Sequence, residues 1–142
     1  MLKGIPNILP PELLKILMEM GHGDEIVIGD GNFPAASIAQ RLVRCDGHGV
    51  PEILDAILQL YPLDTYVKKP VSLMAVVAGD TAPTPVIWAT YKEIIAKHEQ
   101  AEIECLERFE FYERAKNAYA VVATGESAIY ANVILKKGVI KG

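Results

Sequence analysis

One histidine, His22, lies between two glycines within residues 20–25, where no bulky neighbour in the sequence shields its ring. An unperturbed imidazole titrates at about pH 6.5, so such a side chain can give and take protons at neutral pH. The segment falls between a predicted helix end and a predicted strand start. The alternative is a loop histidine beside a helix C-terminus, where the helix dipole favours a cation. The motif alone does not separate the two.

A tyrosine and an asparagine, Tyr130 and Asn132, flank Ala131 in the last predicted strand. Residues i and i+2 share one face of a strand, so the two polar side chains are expected to project together. A phenol beside an amide offers donors and acceptors for sugar hydroxyls. The alternative is a pair of polar residues on a solvated sheet face.

Charged side chains follow three of the predicted strands. Arg108 comes just after one of them, and its guanidinium could donate paired hydrogen bonds to neighbouring hydroxyls. A surface ion pair with Glu107 or Glu110 is the alternative. Asp30 and Asp80 each follow another strand, and ligands of α/β sheets gather beyond the carboxyl ends of strands. Each aspartate could instead cap the turn that follows it.

The elements that must position these residues alternate along most of the chain. Helical spacing predicts helices over residues 11–20, 51–60, 84–98 and 109–117, with a single turn at 35–39. Short apolar runs predict strands over residues 25–28, 41–45, 71–77, 102–106, 118–124 and 129–135. The pattern indicates one α/β domain over residues 1–142, a three-layer sandwich whose central, mostly parallel sheet has helices on both faces.

Composition excludes several classes of function. Apolar residues make up 51% of the 142 positions and the net charge is −4, with no basic stripe for nucleic acid. The longest apolar run, residues 71–78, is too short to span a membrane, and no N-terminal signal is visible. Cys45 and Cys105 are far apart, so we expect two buried small side chains in a reducing cytoplasm rather than a disulfide. No spacing of His, Cys and Asp indicates a metal site.

Several segments, in the same order, resemble the L-fucose mutarotases, which are relatives of the D-ribose pyranases. The match covers nearly the whole chain, and HGDE at 22–25 with Tyr130-x-Asn132 is its most specific part. Arg108 resembles the fucose branch, because a histidine commonly stands there in the ribose branch. The other matching segments are PELL at 11–14, Asp30, FPA at 33–35, Gly79-Asp80, RFEFYERA at 108–115, TGE at 124–126 and LKKGV at 135–139.

The resemblance implies an isomerase that opens and recloses a sugar ring without a cofactor or metal. It implies that His22 is the proton donor and that the substrate contacts come from Asp30, Arg108 and the triplet Tyr130, Ala131 and Asn132. Ala131 could offer only backbone or a small apolar contact. The catalytic base stays open between Asp30, Tyr130 and an ordered water.

The same resemblance implies a homo-oligomer, a ring-shaped decamer with sites at subunit boundaries, and the high apolar content agrees with an oligomer. The expected substrate is L-fucose or a related pyranose. Two alternatives remain at this point. One is a pyranase acting on D-ribose, and the other is a sugar-binding module that has lost turnover.

Overall fold

A six-stranded sheet separates two layers of helices in the computed structural model, which describes all 142 residues. The strands are β1 (Glu25–Gly29), β2 (Leu42–Cys45), β3 (Val71–Met74), β4 (Ile103–Leu106), β5 (Ala120–Thr124) and β6 (Val133–Lys136). The helices are α1 (Pro11–Glu19), α2 (Ala35–Ile38), α3 (Val50–Leu58), α4 (Ile87–His98) and α5 (Arg108–Asn117). None of them combines the length and the apolar character needed to cross a membrane.

The strand order is β2-β5-β1-β6-β3-β4, and β6 alone runs against the others. β1 pairs parallel with β5, β5 with β2 and β3 with β4, whereas β6 is antiparallel to both β1 and β3. The predicted α/β class with a mostly parallel sheet is therefore confirmed. Because β6 is reversed, the residues that precede it lie beside the C-terminal ends of β1, β3 and β4.

Both faces of the sheet are buried, which explains the nearly continuous apolar runs of its central strands. Successive side chains of β1 point to opposite faces. Ile26 and Ile28 join the larger core with α1, α3 and α4, whereas Val27 joins the smaller core with α2 and α5. Helices on both faces, as the sequence predicts, bury the sheet and leave its edges for polar residues.

Three sequence-based expectations differ from the structure in this framework. β3 ends at Met74 rather than at residue 77, and α4 begins at Ile87, after two prolines that restrict the backbone before them. The expectation that both cysteines are buried is wrong for Cys105. Cys45 is buried, but Cys105 lies on the edge strand β4 and is exposed.

Candidate active site

Polar side chains from four segments converge on a cleft of about 280 Å³ beyond the C-terminal ends of β1, β3 and β4. The segments are the turn after β1, the loop after β3, the first turn of α5 and the turn before β6. Their polar residues at the cleft include Asp30, Asp80, Arg108, Tyr130 and Asn132. Four residues that the sequence predicts for a site, Asp30, Arg108, Tyr130 and Asn132, therefore line one cleft beyond the strand ends.

Asp30 joins the turn after β1 to the turn before β6. Its amide donates to Oδ1 of Asn132 at 2.8 Å, and its carboxylate accepts from the amides of Asn32 at 3.0 Å and Ala131 at 3.3 Å. Burial raises the pKa of Asp30, although these amides act against the rise. Because Oδ1 of Asn132 is occupied, the NH₂ group of this side chain is left to donate to a ligand.

The triplet before β6 is a turn and not part of a strand. The predicted start of the last strand at residue 129 is therefore wrong, because β6 begins at Val133. Tyr130 has a left-handed φ of 56°, which is incompatible with the extended ladder. Trp88 donates from Nε1 to the carbonyl oxygen of Tyr130 at 2.8 Å, and the Tyr91 hydroxyl donates to that of Ala131 at 2.7 Å. Two aromatic side chains of α4 therefore fix the turn that brings Tyr130 and Asn132 to one cleft.

Ala131 is fully buried between these two residues. Its amide donates to Asp30 and its carbonyl oxygen accepts from Tyr91, so both of its backbone groups are used inside the chain. It does not line the cleft and instead sets the positions of its neighbours.

The hydroxyl of Tyr130 donates to Oδ2 of Asp80 at 2.5 Å, and the amide of Val77 donates to the same hydroxyl oxygen at 3.4 Å. The hydrogen bond from the phenol lowers the pKa of Asp80, and the carboxylate raises the pKa of Tyr130. At neutral pH the pair is therefore a neutral phenol beside an ionised carboxylate.

Arg108 is the first residue of α5, and its guanidinium forms no ion pair within the chain. The alternative of an ion pair with Glu107 or Glu110 is wrong. Glu107 instead caps the helix by accepting from the amides of Phe109 and Glu110. A cation at a helix N-terminus opposes the helix dipole. The guanidinium lies over the rings of Phe109 and Tyr112, 5.2 and 5.7 Å from their centroids, and lines the cleft.

His22 lies at the opposite end of the strands, just before β1 begins. Its Nε2 is 3.0 Å from Oδ1 of Asp64, and its ring centroid is 5.1 Å from that of Tyr66. Asp64 is buried and also accepts from the Tyr66 amide at 3.0 Å. Burial alone would raise the pKa of Asp64, but the Tyr66 amide and His22 hold it below its ordinary value.

The length of β1 separates His22 from the cleft within one chain. His22 precedes this strand and Asp30 follows it. Six residue steps of about 3.3 Å from Asp24 to Asp30 make roughly 20 Å. The structure thus brings together Asp30, Arg108, Tyr130 and Asn132. His22 of the same chain lies away from this cleft.

Three residues with a part in these arrangements were not assigned to the site from the sequence. They are Asp64, Trp88 and Tyr91, each of which acts on a partner about 40 residues away. Nowhere in the chain do three or more His, Cys, Asp or Glu side chains form a group that could hold a metal ion.

Comparisons with known proteins agree over the full length of the chain. Residues 3–140 match the RbsD / FucU transport protein family. The chain is 53% identical to the fucose mutarotase of Homo sapiens, over 98% of this chain and 94% of that protein.

Two solved structures are similar in fold. The crystal structure of the fucose mutarotase from Streptococcus pneumoniae in complex with L-fucose is 56% identical, with a TM-score of 0.94, and the match covers 99% of this chain and all of that one. Bacillus subtilis RbsD complexed with D-ribose is 26% identical, with a TM-score of 0.75, over 99% of this chain and all of that one.

Proposed function

Since the chain belongs to the RbsD / FucU transport protein family, we propose that it is an isomerase that interconverts the α and β anomers of L-fucose. The observation that carries this proposal is the cleft itself. Asp30, Arg108, Tyr130 and Asn132 converge there in a chain more than half identical to fucose mutarotases. The lower identity to the ribose-bound relative favours fucose over ribose.

The polar groups of the cleft suit a sugar with several hydroxyls. The Arg108 guanidinium and the Asn132 amide supply donors, and the Asp30 and Tyr130 oxygens supply acceptors. Phe33, a further lining residue, offers an apolar surface to the C–H groups of the ring.

Exchange of anomers requires opening and reclosure of the ring. A base takes the proton of the anomeric hydroxyl, an acid protonates the ring oxygen, and reclosure on the other face of the carbonyl reverses both steps. General acid–base assistance of this kind typically contributes about 10²–10⁴-fold. No electron transfer takes part.

The proposed acid is His22 of a neighbouring copy, because a chain's own His22 lies roughly 20 Å from its cleft. Asp64 orients this imidazole through Nε2, which leaves Nδ1 to face the sugar. The ring is half-exposed, as a group that must reach a second subunit requires.

Exposed apolar side chains at both ends of the strands support such a contact between copies. Phe109 and Ile129 are exposed beside the cleft, and Tyr66 and Ile140 are exposed at the end that carries His22. Docking of one end on the other is a heterologous contact, and repetition of such contacts closes into a ring when the rotation allows. We place the chain, a single domain over residues 1–142, in a ring-shaped decamer.

Both cysteines are free thiols, the state that a reducing cytoplasm maintains. The cytoplasm is therefore the compartment that we propose.

Exchange NMR between the anomer signals of L-fucose tests the proposed activity directly. The wild-type protein is expected to accelerate the exchange above the buffer rate, with a larger effect for L-fucose than for D-ribose. D-galactose serves as a further comparison. Saturable binding of L-fucose at the buffer rate of exchange would overturn the proposal and identify a binding module instead.

A further inference from the structure

We propose that Asp80 is a positioning residue that turns the Tyr130 hydroxyl into a hydrogen-bond acceptor for the anomeric hydroxyl, so that Tyr130 acts as the base of ring opening. This inference rests on the proposed function. The residue types of the cleft leave the catalytic base open between Asp30, Tyr130 and an ordered water.

A phenol has one proton to donate and two lone pairs with which to accept. The proton of Tyr130 is directed at Oδ2 of Asp80, 2.5 Å away. The Val77 amide takes one lone pair through a long contact of 3.4 Å. The remaining lone pair can only accept, so a sugar hydroxyl that reaches Tyr130 must donate its proton.

Both partners of this hydrogen bond are held by separate parts of the chain. Trp88 of α4 holds the backbone of Tyr130 through the hydrogen bond from its Nε1 to the Tyr130 carbonyl oxygen. Asp80 is held by its own loop, because its Oδ1 accepts from the Ala82 amide at 3.0 Å and its amide donates to the Val77 carbonyl oxygen at 3.0 Å. The alignment of phenol and carboxylate is therefore set before a ligand arrives.

Asp30 is a poorer candidate for the base. Both of its carboxylate oxygens already accept from backbone amides, those of Asn32 and Ala131, and these bonds tie two turns together. Burial raises its pKa, whereas the hydrogen bond from Tyr130 keeps Asp80 ionised. Asp80 therefore carries the negative charge that can receive a proton by way of the Tyr130 phenol.

The proton transfers balance without any oxidant or reductant. The O1–H bond of the sugar breaks and its proton passes to the Tyr130 oxygen, while the phenol's own proton passes to Oδ2 of Asp80. The electron pair left on O1 forms the C1=O1 double bond, the C1–O5 bond breaks, and O5 takes a proton from the acid. Reclosure on the other face of the carbonyl returns each proton to its source.

A double-mutant cycle on the full-length protein tests this coupling. Asp80→Asn, Tyr130→Phe and the double variant are compared by anomer exchange over a range of L-fucose concentrations. Asp80→Asn and Tyr130→Phe are each expected to lower the maximal rate by about 10- to 100-fold, with little change in KM. The double variant should be no slower than Tyr130→Phe alone, since Asp80 acts only through that hydroxyl. Asp80→Glu should recover part of the rate.

Asp46→Asn is the matched control, because Asp46 is an exposed carboxylate paired with Arg44 outside the cleft. Circular dichroism and thermal midpoints confirm that each variant is folded. Full activity of Asp80→Asn, or losses that multiply in the double variant, would overturn the role of Asp80 while the mutarotase activity stands. A wild-type protein that leaves exchange at the buffer rate would instead overturn the proposed function, and this inference with it.

Discussion

His22 and Asp64 form a part-buried pair in which Nε2 of the imidazole lies 3.0 Å from Oδ1 of the carboxylate. An ionised Asp64 can only accept, so Nε2 carries a proton and Nδ1 is the ring nitrogen left for the proton transfer that we propose. A carboxylate in this position also fixes the orientation and the tautomer of the imidazole.

Replacement of the carboxylate should therefore impair catalysis more than binding. Asp64→Asn keeps the shape of the side chain but removes its charge. We expect the maximal rate of L-fucose exchange to fall by about 10- to 100-fold while KM changes little. The measurement is exchange NMR at several sugar concentrations, with Asp46→Asn as the control. A rate equal to that of the wild type would show that His22 does not depend on this partner.

The same pair predicts how stability depends on pH. The pKa of Asp64 is lower in the folded protein than its ordinary value, so its ionised form is favoured by folding. This contribution is present above the unfolded pKa of about 3.9 and is lost as the pH falls through the folded value. The thermal midpoint of the wild type should exceed that of Asp64→Asn at pH 7, and the difference should shrink below about pH 4. A difference that grows on acidification would contradict the assignment.

Subunit mixing tests the placement of His22 at a boundary between copies. At L-fucose concentrations well below KM, His22→Ala and Arg108→Ala should each retain at most about a tenth of wild-type exchange when assembled alone. When the two variants are co-assembled, a contact between an intact His22 and an intact cleft should restore about a quarter of wild-type exchange, as random pairing in a heterologous ring gives. The controls are assemblies of each variant alone, prepared by the same mixing procedure. No restoration in mixed assemblies of normal size would exclude the neighbouring His22 as the acid.

Arg108 should contribute to binding without contributing to stability. It has no ion-pair partner, and it places a cation at the first position of α5. Arg108→Ala should weaken L-fucose binding by roughly 10- to 100-fold, as the loss of a charge-assisted hydrogen bond implies. The free energy of unfolding should stay within about 0.5 kcal/mol of the wild-type value or rise slightly. Denaturant titration and the dependence of exchange on sugar concentration measure the two effects, and a variant that unfolds easily would contradict this description.

Much of the fold could be predicted because each element carries its own local pattern. The β1 run and the apolar stripe of α3 are visible in the printed sequence, and burial on one or both faces dictates them. The ends of β3 and α4 were less predictable. Backbone hydrogen bonds and prolines decide them, and the apolar pattern runs past these limits.

The candidate site was predictable where it follows strands and less so elsewhere. Asp30 comes directly after β1, so the rule for strand ends identifies it. Tyr130 and Asn132 were expected together for the wrong reason, since a turn held by Trp88 rather than strand alternation brings them to one cleft. The partnership of Asp64 with His22 has no local signal, because 42 positions separate them and only the fold brings them into contact.

The length of β1 sets how copies of the chain can share their sites. In the arrangement that we propose, each copy carries two half-sites, one with His22 before the strand and one with Asp30 after it, and the two are too far apart to act together within one copy. In an open row of copies, one half-site at each end would have no partner. In a closed ring every half-site has one. Dilution that opens the proposed ring should inactivate the protein without unfolding any copy.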